Sequence, residues 1–159
     1  MKDTVARNVI TPPHSVNAEN STIGSLLLRV DENSFDQVDG SVEERDFYLH
    51  SHRLYFRAIT ALVRNKKPYD AVTVAEWLES EGLLSETGGL PELVELAEAT
   101  PLATNLAAYV DIVRQRSILR QLISVCHSSA DAVSTRGTRY SSNSGRCRVW
   151  HPQHQGNYE

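Results

Sequence analysis

Cysteine is scarce in this chain of 159 residues, and no apolar run approaches the roughly 18 residues that a membrane span requires. Two cysteines, Cys126 and Cys147, make no disulfide framework. Cys126 falls within a helical pattern and is expected to be a small core or semi-buried residue. The N-terminus, MKDTVARNVITPP, lacks the apolar stretch of a signal peptide. Without a span or a leader, no membrane partner is expected and the cytoplasm is the expected location. The alternation of a β-strand nowhere extends beyond a few residues, and no internal repeat of fixed period occurs. Also missing are a G-x-x-x-x-G-K-S/T phosphate loop, a G-x-G-x-x-G turn, an H-E-x-x-H zinc site and a G-x-S-x-G nucleophile elbow. No catalytic residue can therefore be nominated, and no cofactor is expected to bind this chain.

Charge is uneven along what is present. Residues 134–159 carry four arginines against Glu159, a balance of +3, so the other 133 residues hold −7 of the net −4. A body of that charge repels phosphates, so nucleic acid is not its expected partner.

The length suits one domain with a proper core. Residues 1–12 read as a flexible arm. Ser15 is placed to cap a helix over about 16–29 whose apolar side carries Ile23, Leu26, Leu27 and Val30. Gly24 inside that helix predicts close approach of a neighbouring helix. A helical turn is expected near Ser34–Val38. A second helix over His52–Asn65 presents Tyr55, Ala58, Ile59, Leu62 and Val63, with Phe47 and Tyr48 plugging the same core. Lys66-Lys67-Pro68 ends it. In VTVAEWLESEG (72–82), Thr73 and Glu76 fit a capping box, Val72 and Trp77 a hydrophobic staple, and Gly82 a left-handed stop.

Gly88 and Gly89 are candidate positive-φ residues, and Pro91 suits the first turn of a helix running to Ala99. That helix turns Leu93, Leu96 and Ala97 inwards and Glu92, Glu95 and Glu98 to solvent. After Thr100-Pro101, with Thr104 or Asn105 as cap, the chain reaches Val133 without Pro or Gly. Leu106, Val110 and Val113 form one stripe, which Ile118, Leu122 and Val125 continue after a shift of face near Gln115–Ser117. The shift predicts a bend or a corner between two helices. The fold class is all-α: a small body of about six helices followed by a long helix with surplus apolar surface for another chain.

His50 and His52 could be considered as metal ligands, but no further ligand stands nearby, and capping or aromatic packing suits them better. Cys147, His151 and His154 supply three zinc ligands where a structural site needs four.

In PPHSVNAENSTIGSLLL (12–28), DFYLHSHRLYFRAI (46–59), PYDAVTVAEWLESEG (68–82), GGLPELVELA (88–97) and TPLATNLAAYVDIVRQRSILRQLI (100–123), the chain resembles the N-terminal domain of the DnaB-type replicative DNA helicases of bacteria. Pro13, His14, Ser15, Ala18, Glu19 and Gly24 stand in the family's places, as do Asp46, Phe47, Tyr48, His52 and Phe56. Asn17 departs from a usual acidic residue and Ser51 from a common proline. The resemblance implies a collar domain over 13–133, whose helical hairpins pair into dimers and, in the full-length protein, a hexamer. It implies docking of the C-terminal domain of primase. ATP, Mg²⁺ and contact with DNA would belong to a motor domain absent from this chain, which is then no enzyme itself. The long helix becomes the first arm of the hairpin. Its residues Leu119, Leu122, Ile123 and Val125, with Arg116 and Arg120 as rim charges, are the expected self-association or partner-binding set.

After Val133 the family pattern stops. TRGTRYSSNSGRCRVWHPQHQGNYE has no helical period, and out-of-frame translation or another abnormal end is the expectation for it. The alternative is a disordered basic tail. For the whole chain, the alternative to a collar domain is a stand-alone all-α regulator that binds helicase or primase.

Overall fold

The computed structural model describes residues 11–28 and 34–140, with side chains in the last helix as far as 134. Residues 1–10 of the expected N-terminal arm, Val30 and the candidate ligands Cys147, His151 and His154 lie outside the described residues. Five α-helices follow one another: α1 (Val16–Leu28), α2 (His50–Arg64), α3 (Ala71–Ser80), α4 (Gly89–Glu98) and α5 (Leu106–Tyr140). Short 3-10 turns at Glu44–Asp46, Leu84–Glu86 and Ala103–Asn105 link them. No strand occurs among the described residues, so the all-α class holds with five helices in place of about six. Near Ser34–Val38 the chain makes helical turns, as expected, with the N–H groups of Val38 and Asp39 both donating to the Phe35 carbonyl. These turns bury Phe35, Val38 and Val42.

Two compact units divide the chain, Met1–Leu122 and Ile123–Glu159. The first holds the core, built around Ile23 and Leu26 of α1, Leu54, Tyr55 and Ile59 of α2, Leu78 of α3, Leu93 of α4, and Phe47 from the preceding loop. Helices α1 and α4 pack so closely at Gly24 that an added Cβ would lie 1.9 Å from Thr100 Oγ1 and 2.2 Å from the Leu96 carbonyl oxygen. The expected close approach is therefore real, and a neighbouring backbone causes it.

Local signals start and stop the helices. The Ser15 carbonyl accepts from the Glu19 N–H at 3.0 Å, and its hydroxyl accepts from the Ala18 N–H at 3.4 Å. Helix α3 starts three residues before the expected cap. Asp70 is the N-cap, accepting from the Thr73 N–H at 2.8 Å while the Thr73 hydroxyl accepts from the Asp70 N–H at 2.8 Å. The earlier start brings Val74, Ala75 and Leu78 into the core and leaves Val72 56% exposed, so no Val72–Trp77 staple forms. Tyr69 and Val74, both buried, take the staple positions instead. Gly82 and Gly89 have positive φ, whereas Gly88 is the N-cap of α4 with a φ of −76°. Glu92, expected in solvent, turns back to accept from the Gly88 N–H at 2.8 Å and from the Tyr55 hydroxyl at 2.6 Å. Burial first, and then this bond to Glu92, holds the Tyr55 hydroxyl well above the usual tyrosine range.

Candidate functional site

Helix α5 runs unbroken from Leu106 to Tyr140, so no corner between two helices forms near Gln115–Ser117. With 3.6 residues per turn, Leu106, Val110, Val113, Ser117 and Arg120 fall on one side. The first four are buried and Arg120 is half-buried. The face toward the core is therefore continued not by Ile118 and Leu122 but by a serine and an arginine. What reads in the sequence as a shift of face is a change of chemistry on a face that stays put.

The reason lies in what that part of α5 meets. Next to Val113 the body offers apolar side chains; one turn further it offers the polar segment 46–49 and the Pro13 carbonyl. Ser117 donates to Asp46 Oδ1 at 2.6 Å, and Asp46 Oδ2 accepts from the Glu43 N–H at 2.8 Å. The Arg120 guanidinium donates to the Pro13 carbonyl at 2.8 Å and to the Asp46 carbonyl, and its carbon lies 5.8 Å from the centre of the Tyr48 ring. The His14 ring also stacks on Tyr48, at 4.2 Å with planes 15° apart. Burial pulls the Arg120 pKa below the ordinary arginine value, against the opposing pull of the Glu19 and Asp46 carboxylates. A guanidinium starting from so high a value remains charged.

Beneath this joint sits a second one. Glu19, on α1 and almost fully buried, accepts from the Tyr48 N–H at 2.7 Å, the Leu49 N–H at 3.2 Å and His52 Nδ1 at 3.0 Å. Burial pushes the Glu19 carboxyl up, but these donors and the nearby imidazole more than reverse it, so its pKa lies below the usual carboxylate range. Arg53 donates to the Phe47 carbonyl at 2.7 Å. The loop before α2 is thus held by Glu19 and Arg53 within the body and by Ser117 and Arg120 from α5. Sequence reasoning assigned no role to Glu19, Asp46 or Ser117. Yet His14, Glu19, Asp46, Tyr48 and His52 are among the residues that carry the family resemblance, and here they converge. His50 and His52 do not share a ligand site: His50 Nε2 pairs with Glu86 Oε2 at 2.8 Å on the surface, while His52 faces Glu19.

The opposite side of α5 in the first unit is uncovered and mixes apolar with polar side chains. In the first unit Ile112, Ile118, Leu119 and Leu122 are exposed, Leu122 to 55%, and Arg116 is exposed as well. In the second unit Ile123, Val125 and Val133 are exposed, and Cys126 is exposed where a semi-buried thiol was expected. Of the residues expected to bind a partner, Leu119, Leu122, Ile123 and Val125 thus show apolar surface to solvent, while Arg120 is drawn into the body. No helix among the described residues is long and apolar enough to cross a membrane.

Known proteins place this arrangement. The family model for the DnaB-like helicase N-terminal domain matches residues 11–115. A replicative DNA helicase DnaB of Haemophilus influenzae is 40% identical over 129 residues, which cover 81% of this chain and 27% of that protein. The replicative DNA helicase DnaC of Bacillus subtilis is 33% identical over 125 residues, 79% of this chain and 27% of that protein. The chain therefore spans about a quarter of the length of the curated relatives it matches. The crystal structure of the N-terminal domain of DnaB helicase from Mycobacterium tuberculosis superimposes with a TM-score of 0.72 at 32% identity, covering 84% of this chain and 91% of that one. The N-terminal domain of the Helicobacter pylori DnaB helicase, described together with its interactions with primase, superimposes with a TM-score of 0.62 at 21% identity, covering 74% of this chain and 90% of that one. This chain belongs to the DnaB-like helicase N-terminal domain family.

Proposed function

We propose that the chain is the assembly and primase-docking part of a replicative DNA helicase, acting in DNA replication. ATP hydrolysis and unwinding would reside in the part of the relatives that this chain does not span. The observation that supports the reading is the outer side of α5, where Leu119 and Leu122 stand exposed opposite buried Val113 and Ser117, with Ile123 and Val125 exposed in the second unit, as are all its described side chains. Apolar side chains exposed in succession on one helix favour burial against a second helix, and each fully buried leucine or isoleucine would contribute about 1.5–3 kcal/mol. A second copy of the chain is the natural occupant in a family that works as an oligomer, with Arg116 at the rim. Primase is proposed as the further partner because the Helicobacter pylori neighbour is described with it.

Light scattering at increasing concentration tests the assembly. The wild-type chain is expected to gain mass toward a dimer, and Leu122→Asp to remain a monomer; equal masses for the two would refute the role of α5. Co-elution with the C-terminal domain of the cognate primase tests the docking separately, and failure to co-elute at micromolar concentration would remove that half of the reading.

A further inference from the structure

Between the start of α1, the start of α2 and the last turns of α4 lies a pocket of about 200 Å³. It is smaller than the ~300–1,000 Å³ clefts that hold cofactors or drug-sized molecules, and suits a single side chain. Val16, Leu49, Leu96 and Ala99 supply apolar walls, while Asn20, Glu92 and Glu95 supply oxygen atoms. His52 completes the lining although its side chain is only 1% exposed. Its Nδ1 is engaged by the Glu19 carboxylate, and Nε2 has no hydrogen-bond partner among the described residues. The Glu19 carboxylate can only accept, so the ring carries its hydrogen on Nδ1, and a ring with a single hydrogen placed there has Nε2 as an acceptor. Acceptors therefore outnumber donors in the pocket, where the Asn20 amide N–H₂ stands beside the Asn20, Glu92 and Glu95 oxygens.

Charge around the pocket points the same way. From Pro68 to Val113 the sequence contains no lysine, arginine or histidine against nine aspartates and glutamates, so nothing on α3 or α4 neutralises the carboxylates. Glu95 joins none of the ion pairs found among the described residues, and Glu92 has one oxygen, Oε2, already occupied by Tyr55 and Gly88. An occupant must bring an apolar stem for the walls and several cationic N–H groups for the acceptors. We propose that this pocket receives an arginine side chain of a docked protein. Arginine fits better than lysine because its planar head spreads five donors over acceptors on three different helices. The inference extends the docking reading above by giving the partner a chemical anchor, but it can be tested without primase.

The probes are N-acetyl-arginine-N-methylamide, its lysine counterpart and its norleucine counterpart, titrated into the ¹⁵N-labelled chain. The arginine probe is expected to give saturable amide shifts confined to the neighbourhood of Val16, Asn20, Glu95 and Ala99, with norleucine giving none. Glu95→Gln is expected to weaken binding at least fivefold, and Ala99→Leu, which fills the pocket from an exposed position, to abolish it with the rest of the spectrum unchanged. Shifts of equal size around Glu76 and Glu79 would mean diffuse attraction of cations and would overturn the proposal. So would lysine or norleucine binding as tightly as arginine, or no saturable shift at all. Primase co-elution that survives Glu95→Gln would leave the docking reading intact while removing this anchor from it.

Discussion

Helix α5 is attached to the body in two ways between Leu106 and Arg120. Leu106, Val110 and Val113 are held by burial among the core side chains, whereas Ser117 and Arg120 are held by hydrogen bonds to Asp46 and to the carbonyls of Pro13 and Asp46. The apolar contact is insensitive to direction and roughly proportional to area. The polar contact fixes rotation and register, because a serine hydroxyl and a guanidinium must meet particular oxygen atoms. The first turns thus supply adhesion, and the next turns set which side of α5 faces outward. That division explains how a helix can keep one side against the body while presenting Leu119 and Leu122 on the other.

The sharpest way to separate the two attachments is to remove one side chain from each. Leu106→Ala in the apolar part is expected to cost about 2–5 kcal/mol in urea unfolding, because it leaves a cavity in the core. Arg120→Met keeps the stem and deletes the charge-assisted hydrogen bonds, with an expected cost of roughly 1.5–3 kcal/mol. Amide hydrogen exchange should rise near Asp46 in this variant and remain unchanged around Val74 and Leu78. Arg120→Lys should recover only part of the loss, since an ammonium cannot span the Pro13 and Asp46 carbonyls as the guanidinium does.

Acid probes the buried carboxylate that holds the loop before α2 from within the body. Glu19 has a folded pKa below its unfolded value, so the unfolded chain binds more protons in acid. Its contribution to stability is complete above the ordinary carboxylate range and is lost as pH falls through the folded value. Unfolding free energy measured from pH 7 down to pH 3 should fall, and Glu19→Gln, already destabilised at neutral pH, should fall less steeply. Parallel curves for the two would assign the acid sensitivity elsewhere. The smallest effect belongs to Ile118, which the sequence pattern placed on the packed stripe and the structure places in solvent. Ile118→Ser is expected to change stability by no more than about 0.5 kcal/mol.

These contrasts also mark where the sequence was readable. Ile23, Leu26 and Leu27, and Tyr55, Ala58, Ile59 and Leu62, follow a helical period because each is packed against side chains, and that period with the lack of strand alternation carried the fold class. The start of α3 was misplaced because Asp70 and Thr73 are both good caps three residues apart, and only the burial of Val74 and Leu78 decides between them. Misreading of α5 has a different cause. Hydrophobic periodicity locates apolar contacts, and Ser117 and Arg120 contact a polar loop some seventy residues away, which no local spacing announces. Glu92 was assigned to solvent for the same reason, since its partner Tyr55 lies on another helix. Glu19 and His52 could be recognised as family positions, but their pairing required the fold.

The outward face of α5 as an assembly surface is the central claim, and Cys126, exposed on that helix, offers the most direct test of it. A nitroxide attached there, with Cys147→Ser removing the other thiol, reports distances between copies by pulsed dipolar spectroscopy. The account predicts a narrow distance distribution in the concentrated wild-type chain that disappears with Leu122→Asp. An absence of dipolar coupling at every concentration, or a distribution that Leu122→Asp leaves unchanged, would contradict it.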